Sequence, residues 1–341
     1  MLKIGLALAM LMGASGPPVA TPLLAADMSA HSLPAPASFL REEDYRVARI
    51  GYRIGVAGAR YCPEPYPLTG LLLHHLGEYA EADRAEAIAL YHLDRGPGVL
   101  AAIEGSPAAA AGLVAGDVVI AVNGQPLPSS PVAAIPEPES ARLAIEASEH
   151  ALEEQLRLGP VRLRILRDGS ERTISLGAIE GCPARVRLAR SKQVNAFANR
   201  GYAIMTTAML AFTRSDDEIA IILGHEIAHN ILHHPETLKA EGVPAKGLGR
   251  KLGANRARVR ATEDAADRLG LKLGWAAGYD VSAAIPYWRR YQARFGAPPG
   301  FLSTHPSLAQ REKTIADFIA ETGGVRANHG MPAAPGVGKQ E

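Results

Sequence analysis

The spacing of apolar residues predicts an amphipathic helix near the start of the chain. Val47, Ile50, Ile54 and Ala57 recur at the interval that places side chains on one helical face. We therefore predict a helix over residues 43–62, with this apolar face turned toward a core that later segments complete.

A second helical stretch is apolar on nearly all sides, from Ile219 to Ile231. Such a pattern is typical of a largely buried helix. Ser215 followed three residues later by Glu218 is a capping-box pattern and marks its start. Pro235 marks its end, because proline disfavours helical geometry at the residue before it.

Strand patterns fill the region between these two helices. Residues 96–127 predict a strand, a helical turn and a second strand that ends in an Asn-Gly turn. Residues 161–176 predict a hairpin around Asp168-Gly169, and a helix precedes it. We predict an α+β fold: a β-rich domain over residues 66–179, inserted into a mainly helical core with a small edge-strand sheet.

The buried helix carries residues suited to a metal site. His225 and His229 are four apart and share one helical face, where two imidazoles can bind one Zn²⁺. Glu226 is adjacent and can accept a proton from water. A buried helix must satisfy its polar side chains, and metal binding accounts for all three groups, whereas an ordinary helix leaves them without partners.

A third ligand has to come from outside this pair. His233 continues the four-residue series, but it lies about 12 Å along the helix from His225, too far for one ion. Residues 261–274 predict another helix, on which Glu263 and Asp267 share a face. Glu263 can bind the metal while Asp267 holds a ligand imidazole. Taken alone, these carboxylates are more typical of an acidic first helical turn.

Four segments in one order resemble a known family. "GHEIAHNILHH" follows "VNAFANRGYAIMTTAML" and precedes "EDAADRLGLKLGWAAGYD" and "FLSTHPSLAQREKTI". Over residues 192–315 the chain is similar to the HtpX- and BepA-type zinc metallopeptidases, which are gluzincins related to the CAAX prenyl endoproteases. The resemblance implies one Zn²⁺ per chain, held by His225, His229 and Glu263, with Glu226 as general base.

The resemblance also implies roles for two flanking segments. His305 would contact the developing oxyanion, although its place just before a proline is equally typical of an N-cap neighbour. The strand Val194–Ala198, with Asn195, Ala196 and Phe197, would pair its open edge with the backbone of a substrate. A plain core strand is the alternative for this segment.

The region predicted as β-rich is similar to the PDZ domains of bacterial envelope proteases. The stretch "GSPAAAAGLVAGDVVIAVNG" carries the likeness. It implies that C-termini or extended segments of unfolded or misfolded envelope proteins bind by β-addition, at the strand and loop in "TGLLLHHLGEY". A rigid spacer between other parts of the chain is the alternative.

Composition and the ends of the chain bear on location. The 341 residues have a formal net charge of +1, which gives no indication of nucleic acid binding. Residues 1–26 predict a signal peptide, 27–42 a flexible leader, and 323–341 a disordered tail rich in Gly and Pro. No later segment approaches a membrane span. We expect an exported, periplasmic protein that is at most peripheral to a membrane.

The two cysteines of the chain, Cys62 and Cys182, bracket the predicted insertion, after which the core resumes over residues 182–322. An inserted domain leaves and re-enters its host at neighbouring points, and exported proteins meet an oxidising compartment. We therefore predict a disulfide bond with Cα atoms roughly 4.4–6.8 Å apart. Two unrelated thiols are the alternative.

Together these features predict a zinc-dependent endopeptidase of the cell envelope. It would hydrolyse misfolded or stalled exported proteins that the PDZ-like domain captures; the alternative is a PDZ-based chaperone or scaffold with an idle metal site. We interpret His233, His234 and the pair His74-His75 as structural or surface residues. The basic stretch 238–260 is predicted as a partly helical, solvated loop rather than a lid.

Overall fold

The computed structural model describes residues 37–127, 138–245, 247–296 and 305–327. The predicted signal peptide, most of the leader and most of the tail lie outside the described residues. Within these ranges, no helix combines the length and apolar character needed to cross a bilayer.

The first helix, α1 (Ala37–Ala57), begins earlier than predicted and takes in the end of the expected leader. Near this end of α1, Arg190 pairs with Asp44 at 2.5 Å and with Glu43 at 3.4 Å. The predicted apolar face of α1 packs into the core of the helical domain. A 3₁₀ turn, Ala59–Tyr61, follows the helix.

The inserted domain is built on an antiparallel sheet with strand order β2-β3-β4-β6-β7, and β5 pairs with β4. The strands of this region are β1 (Tyr66–Leu68), β2 (Leu71–His74), β3 (Gly98–Ala102), β4 (Val118–Val122), β5 (Gln125–Pro126), β6 (Val161–Arg167), β7 (Ser170–Leu176) and β8 (Ile179–Gly181). Its helices are α2 (Arg84–Tyr91), α3 (Pro107–Ala110) and α4 (Pro138–Leu156). The apolar face of α4 packs against the sheet.

Both predicted turns of this domain are present. Asn123 and Gly124 have φ values of 50° and 83°, and Asp168 and Gly169 have 51° and 74°. Two successive residues with positive φ match the twist of a tight hairpin, which explains the choice of Asn or Asp followed by Gly.

The inserted domain joins the core through a narrow neck. β1 and β8 form their own antiparallel pair, with Tyr66 opposite Gly181 and Leu68 opposite Ile179. Beyond this pair, Cys62 and Cys182 form a disulfide bond with Cα atoms 5.5 Å apart, within the predicted range. The chain therefore enters and leaves the inserted domain side by side.

The core combines a small mixed sheet with packed helices, and the α+β prediction is confirmed. Its elements are β9 (Arg185–Ala189), β10 (Ala196–Asn199), β11 (Tyr202–Thr206), α5 (Thr207–Phe212), α6 (Asp216–Ile231), α7 (His234–Ala240), α8 (Gly253–Ala276), α9 (Ala284–Phe295) and α10 (Leu308–Thr322). The sheet order is β10-β11-β9, with β10 antiparallel and β9 parallel to β11. Helix α6 packs between this sheet, α1 and α8.

Two connecting segments are more ordered than the sequence predicted. In the basic stretch 238–260, α7 and the start of α8 are joined through a small apolar cluster of Leu238, Val243 and Val259. At the start of the predicted tail, Trp275 donates a hydrogen bond from Nε1 to the carbonyl of Gly324 at 3.2 Å. The amino acids just after α10 are therefore bound to the core.

Candidate metal centre

Helix α6 is fixed at its start by a cap that differs in part from the predicted one. Ser215 Oγ accepts from the backbone N–H of Glu218 at 3.3 Å, as a capping box requires. The Glu218 carboxylate accepts instead from the N–H of Arg214 at 2.8 Å, and Arg290 of α9 donates to it at 2.6 Å. This ion pair between α6 and α9 draws Glu218 away from the amide of Ser215.

Helices α6 and α8 touch backbone to backbone at two glycines. A Cβ atom on Gly224 would lie 2.8 Å from the carbonyl oxygen of Gly270, and one on Gly270 would lie 2.8 Å from the nitrogen of His225. Only glycine allows so close an approach. It brings Glu263 and Asp267, on the face of α8 that meets α6, within reach of the histidines.

The structure brings together the three predicted ligands. His225 Nε2 lies 3.1 Å from His229 Nε2 and 3.4 Å from a Glu263 oxygen, and the other Glu263 oxygen lies 3.8 Å from His229 Nε2. Ligands held about 2.0–2.1 Å from a tetrahedral zinc ion lie roughly 3.3–3.4 Å from one another. These distances fit that arrangement, and the His₂Glu donor set is one that zinc prefers.

The electrostatics of the cluster also favour a cation. Burial by itself lowers the pKa of His225, but contacts with Asp267 and Glu263 outweigh it and raise this pKa to about 10. Burial raises the pKa of Glu263, yet the neighbouring imidazoles hold it well below its usual range. The pocket thus stabilises positive charge between these groups, and a metal ion can replace the protons there.

Asp267 lies behind the first ligand, as predicted. Its Oδ1 is 2.8 Å from Nδ1 of His225, on the side of the ring opposite the ligand cluster. Arg311 of α10 donates to Oδ2 of Asp267 at 3.1 Å and stacks 3.7 Å above the ring of Trp288. This chain of contacts fixes the orientation of His225 and leaves its Nε2 directed toward His229 and Glu263.

His234 orients His229 in the same way, a role that was not predicted from the sequence. It is buried, and its Nδ1 lies 2.9 Å from Nδ1 of His229. Burial lowers the pKa of His234 to about 4, so the ring is neutral at pH 7 and can accept the Nδ1 proton of His229. The backbone of His233 has φ 51°, and this left-handed residue turns His234 back toward the site. The interpretation of His233 as a surface residue agrees with its exposure.

Glu226 and His305 are the two predicted catalytic residues. Glu226 is half-buried beside His225 and makes no hydrogen bond or ion pair with any other described residue. His305 precedes the Ser307 cap of α10 and places Nδ1 2.7 Å from a Glu263 oxygen, while its side chain remains 61% exposed. His305 thus lies at the rim of the cluster, where its ring both contacts Glu263 and faces solvent.

Of the predicted substrate-binding residues, Ala196 and Phe197 lie on the edge strand nearest α6, and Asn195 immediately precedes it. β10 pairs with β11 on one side only within the described residues, and α6 packs next to it. Asn195 accepts from the N–H of Thr206 at 3.0 Å, which directs its backbone toward β11. Because hydrogen bonding alternates along an antiparallel strand, the backbone N–H and C=O groups of Ala196 and Ala198 point to the open edge. The backbone groups of Phe197 point toward β11, like those of Asn195.

Comparisons with known proteins find matches for both the core and the inserted domain. The model of peptidase family M48 matches residues 166–244 and 245–319, and a PDZ domain model matches residues 98–135. Over these two stretches the chain is similar to peptidase family M48. The resemblance drawn from the sequence is thereby confirmed, and the chain combines a metallopeptidase domain with a PDZ domain.

Part of the chain is also similar to curated proteins. The chain is 30% identical to the mitochondrial metalloendopeptidase OMA1 of Arabidopsis thaliana over 159 residues, 40% of this chain and 32% of that protein. It is 28% identical to the beta-barrel assembly-enhancing protease of Yersinia pestis over 155 residues, 36% of this chain and 32% of that protein. The matched regions thus span about a third of these relatives.

Proposed function

We propose that the protein is a zinc-dependent endopeptidase of the cell envelope that cleaves misfolded or stalled exported proteins. The observation that carries the proposal is the convergence of His225, His229 and Glu263 beside a half-buried carboxylate, Glu226. Similarity to peptidase family M48 supports peptide hydrolysis, and the similarity to a beta-barrel assembly-enhancing protease supports an envelope role.

The residues of the site divide the reaction between them. Zn²⁺ held by the His₂Glu set would lower the pKa of a water molecule and polarise the scissile carbonyl. Glu226 takes the proton of the attacking water and delivers it to the leaving amine. It is suited to this because no other described residue forms a hydrogen bond or ion pair with it. The exposed ring of His305 contacts the developing oxyanion, and its bond to Glu263 fixes its position.

The open edge of β10 positions the substrate. An extended peptide adds as a strand through the backbone groups of Ala196 and Ala198, and the neighbouring α6 brings the scissile bond to the metal cluster. This mode of binding reads backbone rather than side chains, so it suits unfolded clients of varied sequence.

The substitution Glu226→Gln tests the proposal, because it removes the base and leaves the ligands. Cleavage of unfolded casein should fall at least about a hundredfold, while one zinc per chain is retained in metal analysis. Glu236→Gln, the same change at an exposed glutamate of α7, is the matched control and should keep both casein cleavage and the bound zinc. Full cleavage by Glu226→Gln, or by protein stripped of metal with a chelator, would contradict the assignment. No cleavage by the zinc-loaded parent protein would favour a scaffold.

A further inference from the structure

The inserted domain has a groove between its outer strand β2 and helix α4, on the side that faces the peptidase sheet. Residues of β9, β11 and α1 also line this groove. The space left inside is about 100 Å³, room for a few water molecules. Pockets that hold organic ligands have roughly 300–1,000 Å³. In this arrangement the enclosed part of the groove is too small for a peptide strand.

An arginine of the peptidase sheet occupies the edge of β2. Arg187 of β9 donates a hydrogen bond to the carbonyl of Leu73 at 2.8 Å, at the edge of β2 that lies toward α4. The same guanidinium pairs with Glu149 of α4 at 2.5 Å, and both side chains are less than a fifth exposed. Arg187 therefore bonds to both walls of the groove and takes up a backbone acceptor that an added strand would use.

A second arginine of β9 binds α4 one helical turn further along. Arg185 pairs with Glu153 at 3.1 Å and donates from Nε to the hydroxyl of Tyr66 at 2.7 Å. Tyr202 of β11 donates its hydroxyl to Glu149 at 2.5 Å. Two carboxylates of α4 are thus bound by side chains of the peptidase sheet, in a partly buried setting where solvent screens ion pairs little.

We propose that Arg185 and Arg187 lock the groove, and that an extended peptide binds between β2 and α4 only when they withdraw. The proposal rests on the proposed function only in taking an extended peptide as the ligand. β9 carries both arginines and lies in the same sheet as β10, the substrate edge. Peptide capture by the inserted domain is therefore linked through one small sheet to the site of cleavage.

The double variant Arg187→Met/Glu149→Gln tests the lock. Methionine keeps much of the unbranched stem but cannot donate to Leu73, and neutralising both partners leaves neither charge buried alone. The matched control is Arg164→Met/Glu171→Gln, which removes an exposed ion pair between β6 and β7. All proteins also carry Glu226→Gln, so that binding is measured without cleavage.

The probe is a labelled, unstructured ten-residue peptide with an apolar last residue, as the free acid and as the C-terminal amide. Fluorescence anisotropy should show a dissociation constant about tenfold lower for the double variant than for the parent, since a charge-assisted bond no longer holds the groove closed. Hydrogen exchange of the β2 amides should quicken in parallel. Tighter binding of the free acid alone supports the lock and indicates that the groove binds C-termini. Tighter binding of both peptides supports the lock and indicates that it also binds internal segments.

Three results would overturn the proposal: no gain in affinity, an equal gain in the exposed control, or no binding to any of the proteins. The double variant is compared with the control by its unfolding temperature. If that temperature is lower, the single change Glu149→Gln, which keeps the arginine, should still tighten peptide binding, by a smaller factor. The outcome is independent of catalysis, so failure of the peptidase assignment would appear only in the casein assay and not here.

Discussion

The backbone contact between α6 and α8 makes Gly270→Ala the most direct test of how the site is assembled. The new Cβ atom would lie 2.8 Å from the nitrogen of His225 and 2.9 Å from its Cα and from the carbonyl carbon of Gly224. All three atoms are backbone atoms of α6, so no side chain can turn away to relieve the contact. The two helices have to separate.

The size of the effect follows from these distances. Ordinary contact begins at 3.4 Å, so the helices must separate by about 0.6 Å (3.4 − 2.8). Overpacking of this kind costs about 1–3 kcal/mol, and the better helix propensity of alanine returns roughly 1 kcal/mol. We expect a net loss of up to about 2 kcal/mol in the free energy of unfolding. Glu263 moves with α8, so zinc affinity should fall about tenfold or more.

Gly274→Ala is the matched control on the same helix. Its nearest neighbour, Cγ1 of Val281, is 3.9 Å from the position of a new Cβ, so alanine fits there. Urea unfolding should show unchanged or slightly higher stability, by up to about 1 kcal/mol, and competition with a fluorescent chelator should show unchanged zinc affinity. If Gly270→Ala matched this control in both measurements, close helix contact would not be what sets the ligand spacing.

Three further predictions concern residues around the site and the neck. His234→Ala should lower zinc affinity about ten- to a hundredfold in chelator competition while the fold persists, because His229 loses the partner that fixes its tautomer; unchanged affinity would refute this role. Replacing Cys62 and Cys182 with serine should lower the free energy of unfolding by about 2–5 kcal/mol in urea, and an equal midpoint would show that the bridge adds nothing. Burial raises the pKa of Asp44 to about 7 in spite of its arginine partner, so between about pH 4 and 7 the folded state binds a proton that the unfolded state lacks. Stability should therefore fall as pH rises through this window, and Asp44→Asn should lose that part of the dependence in urea titrations at several pH values.

The elements that could be predicted from the sequence are those in which local spacing carries the information. His225 and His229 share a face because a helix turns once in 3.6 residues, and the same holds for Glu263 and Asp267. The turns at Asn-Gly and Asp-Gly could be predicted because their backbone requires positive φ. In each case the constraint lies within a few residues, and the structure agrees.

The residues that escaped prediction depend on contacts between distant segments. His234 reaches His229 only because His233 adopts a left-handed conformation, and no helical periodicity signals this. Likewise, Asp44 near the start of α1 pairs with Arg190, which lies 146 positions further along the chain. Such pairings arise from the tertiary fold, so the spacing of residues in a single sequence does not reveal them.

The inserted domain is held to the core in two ways with different reversibility. The disulfide bond is covalent and persists under oxidising conditions, with the β1–β8 pair beside it, whereas the ion pairs of Arg185 and Arg187 are non-covalent and in our proposal open for the peptide. Because the neck keeps the two surfaces at high effective concentration, even a modest interaction energy is enough to hold the groove shut. A peptide then has to compete only with a tethered side chain, so it can open the groove without separating the domains.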